Sequence, residues 1–79
     1  MKMKECYALL TVEAGKERQI LDKLRSMEGI ESAYILFGEY DIIAKMKGEK
    51  DFDAYKCRDK LAIDGVGIIK IFEVIDVVV

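Results

Sequence analysis

Leu36-Phe37-Gly38-Glu39-Tyr40-Asp41-Ile42-Ile43-Ala44-Lys45-Met46, near the middle of the chain, decides how the rest is arranged. It reads as two β-strands meeting at a tight turn. On its left, Ser32-Ala33-Tyr34-Ile35-Leu36-Phe37 is rich in aromatic and β-branched residues. On its right, Ile42, Ala44 and Met46 alternate with Asp41, Ile43, Lys45 and Lys47, the period of a strand with one buried face. Gly38 reaches positive φ without steric cost and marks the corner. Glu39, Tyr40 and Asp41 beside it form the one concentrated polar group in an apolar context.

Working outward, Glu5 to Glu13 reads as a strand, with Cys6, Ala8, Leu10 and Val12 on one face and Tyr7, Leu9 and Thr11 on the other. Ala14-Gly15 breaks it, and Gly15 is expected to cap a helix whose apolar stripe is Ile20, Leu21, Leu24 and Met27. Gly29 and Ile30 are the expected stop. Beyond the hairpin, Gly48-Glu49-Lys50 reads as a loop and Asp51 as the cap of a second helix, with Phe52, Ala54, Tyr55, Cys57, Leu61 and Ala62 as its apolar side. Asp64-Gly65-Val66 repeats the earlier stop, and Gly67 to Val79 is β-branched strand.

The order is therefore β-α-β-β-α-β, with extra strand at the C-terminus. A shift of 36 residues carries Gly29 onto Gly65, Ile30 onto Val66, and Cys6-Ala8-Leu10 onto Ile42-Ala44-Met46. Two βαβ-like units joined by a hairpin predict an α+β, ferredoxin-like sandwich, an antiparallel four-stranded sheet with both helices on one face.

Seventy-nine residues make one small domain, spanning 1–79. Such a chain buries only roughly 60–65% of its unfolded surface, yet 52% of its residues are hydrophobic. That excess points to an oligomer. If one sheet face meets the helices, the other carries Tyr7, Leu9, Tyr34, Leu36 and Ile43, joined by Phe72. An apolar patch of that extent marks an interface. The expectation is a homodimer packed sheet to sheet, barrel-like in its assembly, with the C-terminal strand reaching towards the partner.

Other function classes lose support in turn. The net charge of −2 gives no basic surface for nucleic acid or an anionic membrane. No apolar run approaches the ~20 residues of a membrane span, and no signal peptide is legible, so a cytoplasmic protein is expected. Cys6 and Cys57 are expected as buried free thiols. With no His, no cysteine pair at metal spacing and no acidic cation loop, neither an enzyme, a metal site nor a cofactor is expected.

A binding module remains. The run Gly38-Glu39-Tyr40-Asp41-Ile42-Ile43, with Gly29-Ile30 before it, Gly65-Val66 after it and Ala14-Gly15-Lys16-Glu17 at the first helix, resembles the effector-binding (RAM) domain of the Lrp/AsnC regulators. The resemblance covers nearly the whole chain and rests most on the Gly-x-Tyr-Asp turn. It implies a stand-alone RAM-type domain without the DNA-binding helix-turn-helix, hence no direct DNA binding by this chain. It further implies dimers through the sheets, rings of dimers, association with a full-length regulator, and amino-acid effectors bound near the turn. Gly38, Glu39, Tyr40 and Asp41 are the implied ligand contacts, with Ile69 and Ile71 at the start of the last strand. Relatives that bind amino acids often place Thr or Ser there, so the two isoleucines depart from the pattern. Against a ligand role, Gly38 can serve its φ alone, Tyr40 an interface, and Asp41 the backbone of its own turn. The alternatives in function are a structural or adaptor oligomer with a vestigial site, and an ACT-like amino-acid-binding domain.

Overall fold

Alternation becomes strand and the i, i+4 stripe becomes helix in the order expected. A computed structural model describes residues 4–49 and 52–75. The elements are β1 (Lys4–Val12), α1 (Glu17–Arg25), β2 (Ile30–Ile35), β3 (Ile42–Gly48), α2 (Ala54–Leu61) and β4 (Val66–Glu73). They form one four-stranded sheet of order β2-β3-β1-β4, antiparallel throughout. This is the ferredoxin-like plan.

Register sorts every strand residue onto a face. On the helix side, rows across the sheet read Ile35–Ile42–Leu10–Ile69 and Ala33–Ala44–Ala8–Ile71. The three alanines leave room above the sheet for Ile20, Leu21 and Leu24 of α1 and Cys57 and Leu61 of α2, all within one buried cluster. Burying one such Leu contributes about 1.5–3 kcal/mol. The sequence repeat is also the pairing rule of the central strands. Cys6, Ala8 and Leu10 lie opposite Met46, Ala44 and Ile42, so equivalent residues of the two halves meet in reverse order.

Several boundaries differ from the sequence reading. α1 ends at Arg25, with Ser26 as its C-cap, its hydroxyl donating to the Lys23 carbonyl. Gly29 lies beyond the helix in a turn closed by Ile30 N–H on the Met27 carbonyl at 3.3 Å. Gly65 does the same where Val66 N–H meets the Ile63 carbonyl at 3.1 Å. Their φ values of +92° and +94° are those of the third residue in a type II turn, which launches β2 and β4 directly. Gly15 is not the cap of α1. Lys16 holds that position without a side-chain bond, and the Glu17 carboxylate accepts from Gly15 N–H instead. The cap of α2 is Asp53, which accepts from Lys56 N–H at 3.0 Å. Asp51 lies outside the described residues. The shift follows from Phe52, whose ring occupies the space a side chain at Gly48 would fill.

Alternation with Tyr34 and Leu36 on the open face would turn Phe37 toward the helices, yet it is fully exposed, because β2 stops at Ile35. The supposed tight turn is a six-residue loop, Leu36 to Asp41. At the C-terminus, Val74 N–H donates to the Glu5 carbonyl at 2.9 Å, one step past β4, and the expected extra strand beyond Ile75 lies outside the described residues.

Candidate functional site

The loop between β2 and β3 is held at three points. Leu36 N–H donates to the Asp41 carbonyl and Asp41 N–H to the Leu10 carbonyl, each at 2.8 Å. The Asp41 carboxylate then accepts from Val12 N–H at 2.9 Å. Val12 N–H faces the β3 side, where pairing ends at Leu10–Ile42, so no strand carbonyl reaches it. On the other side, where the β1–β4 register shifts between Leu10 and Val12, Ile68 N–H is taken by the Thr11 hydroxyl at 2.7 Å. Asp41 thus pins its loop to the end of β1, where a regular ladder would have supplied a backbone carbonyl.

The other turn residues are freer. Gly38 adopts φ +153° with open space where a side chain would begin, and Glu39 is exposed. The Tyr40 ring receives the ammonium of Lys70, 6.0 Å from its centroid. Lys70 stands on the open sheet face of β4, opposite Leu9. The loop therefore gathers one exposed carboxylate, one phenol ring and one cation drawn from both halves of the chain. Lys70 was not read from the sequence as a site residue, although it is the only charge between Val66 and Phe72. Ile69 and Ile71 sit on the other side of β4, opposite Leu10 and Ala8, and pack into the core.

The open face carries the expected interface residues. Tyr34, Ile43 and Leu9 form one row with Lys70, and Tyr7 and Phe72 lie in the next with Lys45. Tyr7, Tyr34 and Phe72 expose 37%, 57% and 53% of their surface. Leu36, just past β2, is half-buried. Toward the far end, Lys45 and Lys47 meet Glu31 at 3.3 and 3.0 Å and Glu5 at 3.8 Å each. The hydrogen bond from Lys47 holds the Glu31 carboxyl below its usual range, and the bond that Lys45 donates to Glu31 raises the Lys45 ammonium. Two cations and two anions balance one another at this end, so this part of the face can be covered without stranding a charge.

The two thiols are free and buried, as expected. Burial pushes Cys57 up to about 12, and burial likewise raises Cys6. Cys57 Sγ lies 3.0 Å from Met46 Sδ. Neither thiol is a nucleophile at neutral pH. Among the described residues no group of three or more Cys, Asp or Glu is placed to hold a metal ion. None of their helices is long and apolar enough to cross a membrane.

Comparison with solved structures meets the same fold. FFRP-DM1 matches at a TM-score of 0.74 and 26% identity, over 91% of this chain and 99% of that one. The chain carries the fold of the AsnC-type regulators. Escherichia coli AsnC matches at a TM-score of 0.79 and 22% identity, over 96% of this chain but 53% of its own length. A Neisseria meningitidis transcriptional regulator, NMB0573, solved as a complex with L-Met, matches at 0.73 and 18%, over 92% of this chain and 50% of that one. The chain thus spans a RAM-like unit equal to about half of the two larger regulators. Pyrococcus furiosus PF0864, a transcriptional regulatory protein of the AsnC family, matches as well, at a TM-score of 0.69 and 20% identity, over 96% of this chain and 53% of that one. No protein-family model matches the sequence, and no curated protein matches it either.

Proposed function

We propose that this AsnC-type domain is an effector-binding and oligomerisation module, assembling through its open sheet face and taking a small amphoteric ligand, an amino acid, at the loop between β2 and β3. The observation that carries the reading is the Lys70 ammonium held over the ring of Tyr40, the residue that follows the exposed Glu39. An amino acid presents an ammonium and a carboxylate on neighbouring atoms, and an exposed carboxylate and a cation held beside one ring complement both. Asp41 is the weaker acceptor, since one of its oxygens already serves Val12 N–H. Glu39 takes the ammonium and Lys70 the carboxylate. Phe37 and Leu36, in the same loop, offer apolar surface to the ligand side chain, and a second copy of the chain encloses the site. The module then modulates transcription or metabolism through its own assembly, or by joining a full-length regulator of the same type.

Isothermal titration of the twenty amino acids against wild type, Glu39→Gln and Lys70→Met tests this. Removing one charged partner from a desolvated contact costs about 2–5 kcal/mol, or roughly 30- to several-thousand-fold in affinity. Both variants should lose binding while keeping the wild-type mass. No binding to wild type favours the second reading, a structural oligomer, for which the open sheet face is sufficient.

A further inference from the structure

Both outer strands end their exposed edges in the same way. Arg25, the last residue of α1, donates through Nε at 3.1 Å and Nη2 at 2.8 Å to the carbonyl of Ala33 on β2. Arg58 of α2 donates through Nη2 at 3.1 Å to the carbonyl of Ile69 on β4. Each of these carbonyls points out of the sheet. Val74 N–H bonds inward to Glu5, which turns residues 70, 72 and 74 toward β1 and Ile69 away from it. Leu36 N–H bonds inward to Asp41, which likewise turns Ala33 to the free side of β2.

Ala33 and Ile69 are equivalent under the 36-residue repeat, but their arginines are not. Moving Arg25 by that distance lands on Leu61, and moving Arg58 back lands on Asp22. The repeat alone therefore does not produce the two caps. What the halves share is the acceptor, reached from different points of each helix. Beside β2, a groove of about 270 Å³ is lined by Arg25, Ile30, Glu31, Ser32, Ala33 and Tyr34. It is the space an added strand would enter, and the guanidinium stands in it, 6.0 Å from the Tyr34 ring centroid.

We propose that Arg25 and Arg58 close the two sheet edges to strand addition by a second copy of this chain. An incoming strand must bring its N–H groups to the outward carbonyls, and at Ala33 and Ile69 that position is already filled by a charged donor. Assembly is thereby directed to the open face.

Arg25→Met and Arg58→Met remove the donors and keep most of the aliphatic stem. They should be compared, singly and together, with wild type and with Arg18→Ala/Lys23→Ala, two exposed cations of α1. Each single variant opens one edge per protomer, so a sheet-to-sheet dimer carries two open edges and its sedimenting mass should rise by at least about twofold over wild type. The double variant opens both, and should grow into chains that bind thioflavin T. Its net charge moves from −2 to −4, a change that by itself favours solubility, and the control with the same loss should keep the wild-type mass. Circular dichroism establishes that each variant is folded. Folded single variants at wild-type mass overturn the proposal, and so does a control that grows like the double variant. The singles retain one cap each and decide the matter if the double variant does not fold.

Discussion

The carboxylate of Asp41 and the backbone N–H of Val12 lie 2.9 Å apart, joining the loop after β2 to the end of β1 across 29 residues of sequence. The residue that most marks the turn in sequence is thus already occupied in holding it. A hydrogen bond to a charged group contributes about 1.5–3 kcal/mol. Asp41→Ala should therefore lower unfolding free energy by about that amount in urea denaturation, whether or not an effector is present. An unchanged midpoint would mean that Val12 N–H finds another acceptor.

Gly65 separates two costs that glycine can hide. Its φ is +94°, and a side-chain carbon there would lie 2.9 Å from Ile20 Cδ1. Gly15 has φ +88° and open space around it. Gly65→Ala should cost about 1–3 kcal/mol, measurably more than Gly15→Ala, because it adds a clash within the core to the backbone strain. Equal thermal shifts would place Ile20 elsewhere.

Cys57 offers a test by pH. Its folded value, about 12, lies above the ordinary thiol value of 9.0. A raised acid stabilises the fold fully below the unfolded value, and that contribution is lost as pH rises from about 9 toward about 12. Stability should fall through that window, and less steeply in Cys57→Ala after allowance for its lower starting point. At pH 8 neither thiol should react with an aromatic disulfide reagent until denaturant is added. Prompt labelling of the native chain would contradict the burial of both.

Most of the fold was legible because the chain is punctuated regularly. Gly29-Ile30 and Gly65-Val66 mark the starts of β2 and β4, and Cys6-Ala8-Leu10 against Ile42-Ala44-Met46 names the central pairing. What escaped the sequence depended on distant partners. Phe37 continues an apolar run, and nothing local says that β2 ends two residues earlier. Asp51 and Asp53 are both good helix caps by type. The choice was made by Phe52 packing over Gly48. Of the site, Glu39, Tyr40 and Asp41 stand out locally, whereas Lys70 joins them only once β4 lies beside β1. Period-2 alternation put Ile69 and Ile71 on one face of the strand but could not say which, and the register assigns them to the core.

The assembly surface has its own variant. Leu9 stands between Ile43 and Lys70 on the open face. Leu9→Lys places a second cation beside Lys70 and would bury it unpaired in any sheet-to-sheet dimer. The variant should remain folded by circular dichroism and lose the wild-type mass. A folded variant with unchanged mass would move the interface off this face.

Sedimentation equilibrium of the wild-type chain at micromolar concentration bears on all of this most directly. The protomer is 9.0 kDa. A species at an even multiple of that mass, stable on dilution, is the result expected of a module that buries Tyr7, Leu9, Tyr34, Ile43 and Phe72 against a second copy. A folded species of 9.0 kDa would contradict it.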